Sequence, residues 1–158
     1  MPKHERTLVL VKPDALQRSL LGEIITRFER KGLKVVGMKM ITVSDAKVSE
    51  HYGKFSDRPF FESLKNFIQS SPVVALVLEG LEAVSAVRLI VGPTKGRSAD
   101  AGSIRGDLAM SQQCNIVHAS DPEEDVQGEI NRFFTAEELF DYKKVDEVVV
   151  YSSDELPE

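Results

Sequence analysis

The spacing of apolar positions changes several times along the chain, and each change marks an element. Thr7 to Val11 is a short β-rich run that Lys12-Pro13-Asp14 brings to a stop. From Ser19 the spacing turns helical: Leu21, Ile24, Ile25 and Phe28 share a face, and Gly32 is the stop signal. Leu33 to Val43 predicts a second strand, with Gly37 weakening its middle. Ser44-Asp45 opens a short helix carrying His51 and Tyr52. Pro59 opens another, whose apolar face is Phe61, Leu64, Phe67 and Ile68. Val73 to Glu79 is nearly unbroken apolar chain and predicts a central strand, and Val84, Val87 and Val91 give a helix that closes at Gly92. Asn115 to His118 follows as a short strand. Asp121-Pro122-Glu123-Glu124 carries a cap, a first-turn proline and a capping glutamate, which predicts a helix start there, and Val126, Ile130 and Phe133 supply its buried stripe. Thr135 and Glu138 repeat the capping box for a short helix ending near Tyr142.

This order, strand–helix–strand, helices, strand–helix–loop–strand–helix, predicts an α+β protein of ferredoxin-like layout. It has a four-stranded antiparallel sheet, helices on one face and a long loop before the last core strand. That loop, Gly92 to Asn115, holds four of the ten glycines and no sustained period. Loops of such length inside compact domains are usually functional or disordered. The layout serves many activities and settles none of them.

Composition narrows the field. A chain of 158 residues fits one domain and buries enough surface to fold without disulfides or structural metal. The net charge of −5 disfavours a sequence-independent nucleic-acid binder. The sole cysteine, Cys114, forms no internal disulfide and fits a reducing compartment. The longest apolar run is too short for a bilayer and the N-terminus shows no signal peptide, so a cytoplasmic, membrane-free protein is expected.

No glycine-rich phosphate loop, dinucleotide fingerprint, zinc-protease motif or nucleophile elbow is present. A nucleotide site would then be built from side chains. Of the three histidines, His4 lies in the N-terminal fringe and His51 reads as part of a solvated helix face. His118 stands out, between a buried strand and a capped helix. A neutral imidazole is a competent nucleophile, and a carboxylate on its other nitrogen would fix tautomer and orientation. Glu129 could provide one if the next helix packs beside the strand. Lys12, Arg88 and Arg105 come from separate segments, and their convergence on a phosphate chain is not decided by spacing.

Taken in order, Val11-Lys12-Pro13-Asp14-Ala15, His51-Tyr52 with Arg58-Pro59-Phe60-Phe61, Gly92-x-Thr94, Ile104-Arg105-Gly106-Asp107 and Asn115-Ile116-Val117-His118-Ala119-Ser120-Asp121 resemble nucleoside diphosphate kinase. The likeness runs from the first strand to Tyr142. It implies a single kinase domain over residues 1–158, with an acidic tail from about residue 152. It also implies a ping-pong enzyme: a nucleoside triphosphate such as ATP phosphorylates His118 at Nδ1, and a nucleoside diphosphate takes the group away. By the same resemblance Glu129 orients the ring and Ser120 supports that glutamate. Lys12 lies near the transferred phosphate and sugar, Tyr52, Arg88, Thr94 and Arg105 bind phosphates, Asn115 meets the ribose, and Phe60 stacks on the base. Mg²⁺ is expected on the nucleotide phosphates and water, with no protein metal cage.

The family also implies a homo-oligomer, a tetramer or hexamer built from dimers. Ala119 and Pro122 depart from the Gly and Ser common beside the nucleophile, and Gln112 from a small apolar residue. Gly96 and Ala101 stand where prolines are usual, which predicts a looser loop and a weaker higher assembly. Two other classes compete. One is a phosphohistidine relay module, for which a sugar and base contact would be useless. The other is a regulatory or RNA-binding module, against which the acidic balance and the absence of an aromatic sheet strand both tell.

Overall fold

The computed structural model describes residues 3–156. Four strands, β1 (His4–Val11), β2 (Lys34–Ile41), β3 (Val73–Leu81) and β4 (Val117–Ala119), form one sheet in the order β2-β3-β1-β4. Every neighbouring pair is antiparallel. This is the expected ferredoxin-like arrangement. The unbroken apolar runs of β1 and β3 mark the two central strands, which are covered on both sides. Val9, Val11, Leu76 and Leu78 pack on α2 (Leu21–Lys31) and α5 (Ala83–Val91). Leu8, Leu10, Ala75 and Val77 pack instead under α7 (Val126–Phe133) and Leu139. The expectation of helices on one face is therefore corrected: alternate residues of both central strands need apolar partners on opposite sides.

The polar end of β3 is neutralised across the ladder. Glu79 pairs in register with Arg6 and Lys34 and holds each cation at 2.6 Å. Beyond β2 the chain returns to cover the edge, where the Phe140 amide donates to the Val36 carbonyl at 2.8 Å and the Tyr142 hydroxyl to that of Val35 at 2.6 Å. Gly37 belongs to this cover, because a Cβ there would sit 2.8 Å from Leu139 Cδ2. The acidic tail reaches the described residues as far as 156, and Glu158 lies outside them.

The remaining helices are α1 (Pro13–Gln17), α3 (Asp45–Tyr52), α4 (Phe61–Gln69), α6 (Ile104–Leu108) and α8 (Glu147–Val150). Ser44 caps α3 as expected, accepting from the Lys47 amide at 3.2 Å. The cap before the last long helix is not the predicted one. Helix α7 starts at Val126, with Asp125 Oδ1 accepting from the Gly128 amide at 2.9 Å. Asp121 to Glu124 forms a separate turn, closed by the Glu124 amide on the Asp121 carbonyl at 3.0 Å. Two caps four residues apart compete for one helix. The later one wins because Val126, Ile130 and Phe133 are already in phase from it. The Thr135–Glu138 box does form, although it closes only a short 3-10 turn, Ala136–Glu138.

The long loop is ordered by packing. Ser103 caps α6, and a 3-10 turn spans Gly96–Ser98. Gly96 is buried, its amide donates to the Ser111 carbonyl at 3.1 Å, and a Cβ there would lie 2.5 Å from the Ala109 carbonyl oxygen. The reading of this glycine as a missing proline, and so as looseness, is overturned. A proline would lose the amide bond and strike the backbone of Ala109. Gly96→Ala is expected to lower stability by about 1–3 kcal/mol through overpacking, read as a drop in the urea midpoint. An unchanged midpoint would mean that the loop relaxes freely.

Candidate active site

Lys12 follows β1 directly, and its amide donates to the Ile116 carbonyl at 2.9 Å. Ile116 in turn donates its amide to Asp14 Oδ2 at 3.1 Å and has φ +76°. A β-branched residue in the left-handed region is strained, and such strain persists only where surrounding bonds enforce it. Here it bends the chain into β4. The carbonyls on either side of the bend, those of Asn115 and Val117, turn to one cation: Arg105 donates from Nε to Asn115 at 3.1 Å and from Nη2 to Val117 at 2.5 Å, and its Nη1 reaches Gly92 at 3.0 Å. A guanidinium has five N–H groups, so two remain for a ligand.

His118 sits in β4 opposite Leu10. Its Nε2 lies 3.0 Å from Glu129 Oε2, which also accepts from Ser120 Oγ at 3.3 Å. Ser120 is fixed by the backbone of Leu8, whose amide donates to Oγ at 3.3 Å. Glu129 is only 2% exposed, whereas the His118 side chain keeps 22% of its surface. A buried carboxylate accepts at Nε2, so the Nε2–H tautomer is the one assigned, and Nδ1 holds the free lone pair. Burial, reinforced by the Lys12 and Arg105 cations, pushes the imidazole well below its ordinary pKa. At neutral pH it is uncharged.

The residues singled out from the sequence converge. A cleft of about 580 Å³ is lined by Lys12, Tyr52, Phe60, Arg88, Thr94, Arg105, Asn115 and His118, with Glu129 and Ser120 in contact behind the histidine. Lys12 Nζ donates to Asn115 Oδ1 at 2.7 Å, and Asn115 Nδ2 donates to the carbonyls of Thr94 and Gln112, each at 2.9 Å. Burial and the Arg105 charge lower the Lys12 ammonium to about 8. Arg88 reaches Asp121 at 3.6 Å and stays partly exposed. Phe60, 47% exposed, stands at the rim with its ring centroid 5.6 Å from that of Phe55.

His51 is the residue the sequence reading misplaced. It is not solvated: it is 7% exposed, and its ring meets that of His118 edge-on with centroids 4.6 Å apart. The signal was present, since Val48, His51 and Tyr52 stand at i, i+3 and i+4 and all three are buried on α3. Among the described residues neither ring nitrogen of His51 has a hydrogen-bond partner, nor has the Tyr52 hydroxyl. Burial pushes the Tyr52 phenol up, so it remains a donor.

Cations on three segments, an aromatic shelf at the rim and an uncharged, half-buried imidazole put this ferredoxin-like fold in the class of phosphotransferases. The family model for nucleoside diphosphate kinase matches residues 5–139. A nucleoside diphosphate kinase of Parabacteroides distasonis is 47% identical over 152 residues, covering 96% of this chain and 99% of that one. The corresponding protein of Methanosphaera stadtmanae is 50% identical over 147 residues, covering 93% of this chain and 97% of its own. A halophilic nucleoside diphosphate kinase from Halobacterium salinarum, solved in complex with CDP, superposes with a TM-score of 0.92 at 43% identity over 94% of this chain and 99% of that one. The chain belongs to the nucleoside diphosphate kinase family. It is an enzyme that moves the terminal phosphoryl group of a nucleoside triphosphate to a nucleoside diphosphate through a histidine intermediate, and enzymes of this family use Mg²⁺ with their nucleotides.

The buried histidines carry a pH signature. Burial and the His118 ring hold His51 down to about 3, while in the unfolded chain it titrates near ~6.5. Between those values the unfolded state binds one more proton, so stability falls as pH falls, by up to ~1.4 kcal/mol per pH unit. His118 contributes in the same direction. His51→Phe is expected to flatten the slope between about pH 6 and pH 4 by that amount, measured by urea unfolding at stepped pH. An unaltered slope would show that His51 accepts a proton in the folded state.

Proposed function

We propose that His118 Nδ1 is the nucleophile of this kinase, and that the cleft presents donor and acceptor nucleotides to it in turn. One observation carries the reading: Nε2 is taken by Glu129, which leaves Nδ1 as the free nitrogen of a side chain that lines the cleft. Its lone pair attacks the terminal phosphorus, the bond to the bridging oxygen breaks, and the nucleoside diphosphate leaves with that electron pair. The positive charge gained by the ring is met by Glu129, which Ser120 holds in place. In the second half-reaction the β-phosphate of another diphosphate attacks the phosphohistidine and restores the neutral ring.

Lys12, Arg88 and Arg105 with the Tyr52 hydroxyl stabilise the equatorial oxygens of the group in flight, which is most of what phosphoryl transfer asks of a protein. Thr94 and Asn115 complete the phosphate and ribose contacts. Phe60 stacks on the base, and a π-face is common to every base. The residues suit Mg²⁺ carried by the nucleotide. Asp121, the carboxylate nearest the Arg88 end of the cleft, already faces that cation, so oxygen ligands for a hard ion come from phosphates and water. When bound, the ion supplies charge neutralisation across the phosphate oxygens.

The same reading makes residues 1–158 one catalytic domain working in the cytoplasm as a homo-oligomer, a tetramer or hexamer of dimers. Supporting it, no helix among the described residues is long and apolar enough to cross a membrane. Exposed Met38 and Met40 on β2, and Leu89 and Met110 beside the loop, offer apolar surface for subunit contacts.

His118→Ala is expected to abolish acid-labile, alkali-stable labelling by Mg·ATP while nucleotide binding persists. Normal turnover in that variant would end the reading, and a coupled assay with a second diphosphate separates kinase from relay. Phe60→Ala is expected to weaken nucleotide binding by ~1–3 kcal/mol, more for purines, measured calorimetrically. Equal affinity in the variant would remove Phe60 from the base site.

A further inference from the structure

Behind the catalytic histidine the polar atoms are not all used. Glu129 Oε1 and both nitrogens of His51 are buried without a hydrogen-bond partner among the described residues. Buried polar atoms normally find partners, and three unmatched ones in a single cluster call for a ligand. One donor atom from each of His51, His118 and Glu129 can be chosen so that all lie within 4.8 Å of one another. A second cavity, of about 300 Å³, reaches Glu129 and His51 without touching His118. Four carboxylates, Glu50, Glu124, Asp125 and Glu129, outweigh Lys54 and Arg132 on its wall, and Lys54 is itself paired with Glu124. The cluster is thus open to a small cation by a route that does not pass through the nucleotide cleft.

We propose that His51, His118 and Glu129 form an inhibitory site for Zn²⁺ that switches the nucleophile off through its tautomer. Two imidazoles and one carboxylate with a fourth position left for water are a zinc donor set, whereas Mg²⁺ and Ca²⁺ take oxygen. Tetrahedral Zn²⁺ with bonds of ~2.0–2.1 Å places its ligand atoms about 3.3 Å apart. The His118–Glu129 pair, at 3.0 Å, is already close to that spacing. His51 lies within 4.8 Å of both, so its ring has to close by up to about 1.5 Å to complete the set.

The consequence follows from proton bookkeeping. In the active tautomer the Nε2 proton lies on the Glu129 hydrogen bond and the Nδ1 lone pair is free. A zinc–Nε2 bond needs the Nε2 lone pair, so that proton leaves, and the neutral ring takes one from solvent at Nδ1. The proton has moved from one nitrogen to the other, and Nδ1 has no lone pair left to attack phosphorus. The inhibition therefore rests on the nucleophile assigned above, while the metal site itself does not. Because Zn²⁺ enters from the second cavity, raising the nucleotide concentration does not relieve it.

The test uses the metal-free full chain titrated with Zn²⁺ alone in a calorimeter. One ion per chain is expected, and His51→Gln and Glu129→Gln are each expected to weaken it about tenfold or more. Wild-type imidazole nitrogen NMR needs no variant: on adding Zn²⁺, His118 is expected to pass from the Nε2–H to the Nδ1–H form. Initial labelling by Mg·ATP, with Mg²⁺ in large excess, is expected to fall with the same saturation curve and return on chelation. No stoichiometric binding, affinity indifferent to both variants, or a His118 tautomer unmoved by bound Zn²⁺ would overturn the site. Full labelling with Zn²⁺ bound would overturn the switch. Absence of labelling in the metal-free protein would count against the nucleophile instead, so the two failures are separable.

Discussion

One buried guanidinium holds the site together. Arg105 lies inside the long loop, yet its donors satisfy the carbonyl that ends α5 and both carbonyls flanking the bend at Ile116. The Asn115 carbonyl also accepts from the Val117 amide at 2.9 Å, whereas the buried Val117 carbonyl faces away from β1 and takes its bond from Arg105. Left without Arg105, that carbonyl would cost about 1–3 kcal/mol. The cation is costly to bury as well, and burial with the nearby Arg88 lowers it to about 10. The two costs offset only while all the bonds are made, and this couples the loop, the end of α5 and the entry to β4. A charge proposed to face phosphate is therefore also what orders the walls around it.

The same economy applies to His118. Cations near a histidine disfavour its protonated form, and cations near a phosphoryl group stabilise the charge in flight. Lys12 and Arg105 do the first, so the groups proposed to bind substrate also keep the lone pair of the proposed nucleophile free. Glu129 opposes them, since a carboxylate favours the charged ring. Its oxygen is shared with Ser120 Oγ, which holds the carboxylate in place against the ring. The balance leaves a ring that is neutral at rest and that, in the proposed mechanism, is supported when phosphorylation makes it positive.

What could be read from the chain depended on the range of the interaction. The central strands β1 and β3 were visible because burial on both faces writes continuous apolar sequence. Ser44 and the Thr135–Glu138 box were visible because capping acts over three residues. Asp121-Pro122 misled for the same reason: it carries a local cap, and the outcome was set by the phase of the stripe against the sheet. His51 was misread because a histidine beside a tyrosine carries no local sign of its partner, and the His118 ring it meets is 67 positions away. The site residues themselves were legible mainly as a resemblance. Lys12, Arg88 and Arg105 are ordinary cations in isolation, and what makes them a site is the fold that closes one cleft around them. Gly96 was read through the family's usual proline, whereas its own environment is a close approach to Ala109.

A single cleft for both half-reactions constrains how binding energy is distributed. Donor and acceptor differ by the one phosphoryl group, so contacts to base and ribose are the same for each and cannot favour either direction. Those contacts set occupancy, and only groups that act on the transferring phosphoryl change the rate. The geometry separates the two kinds. Phe60, the proposed base platform, lies exposed at the rim, where a weak, unselective contact would let a product leave. Arg105, Tyr52 and Lys12 are buried deeper, beside the imidazole, in surroundings that strengthen electrostatic interactions. On the proposed assignment, preorganisation is greatest where charge develops and least at the exposed ring of Phe60.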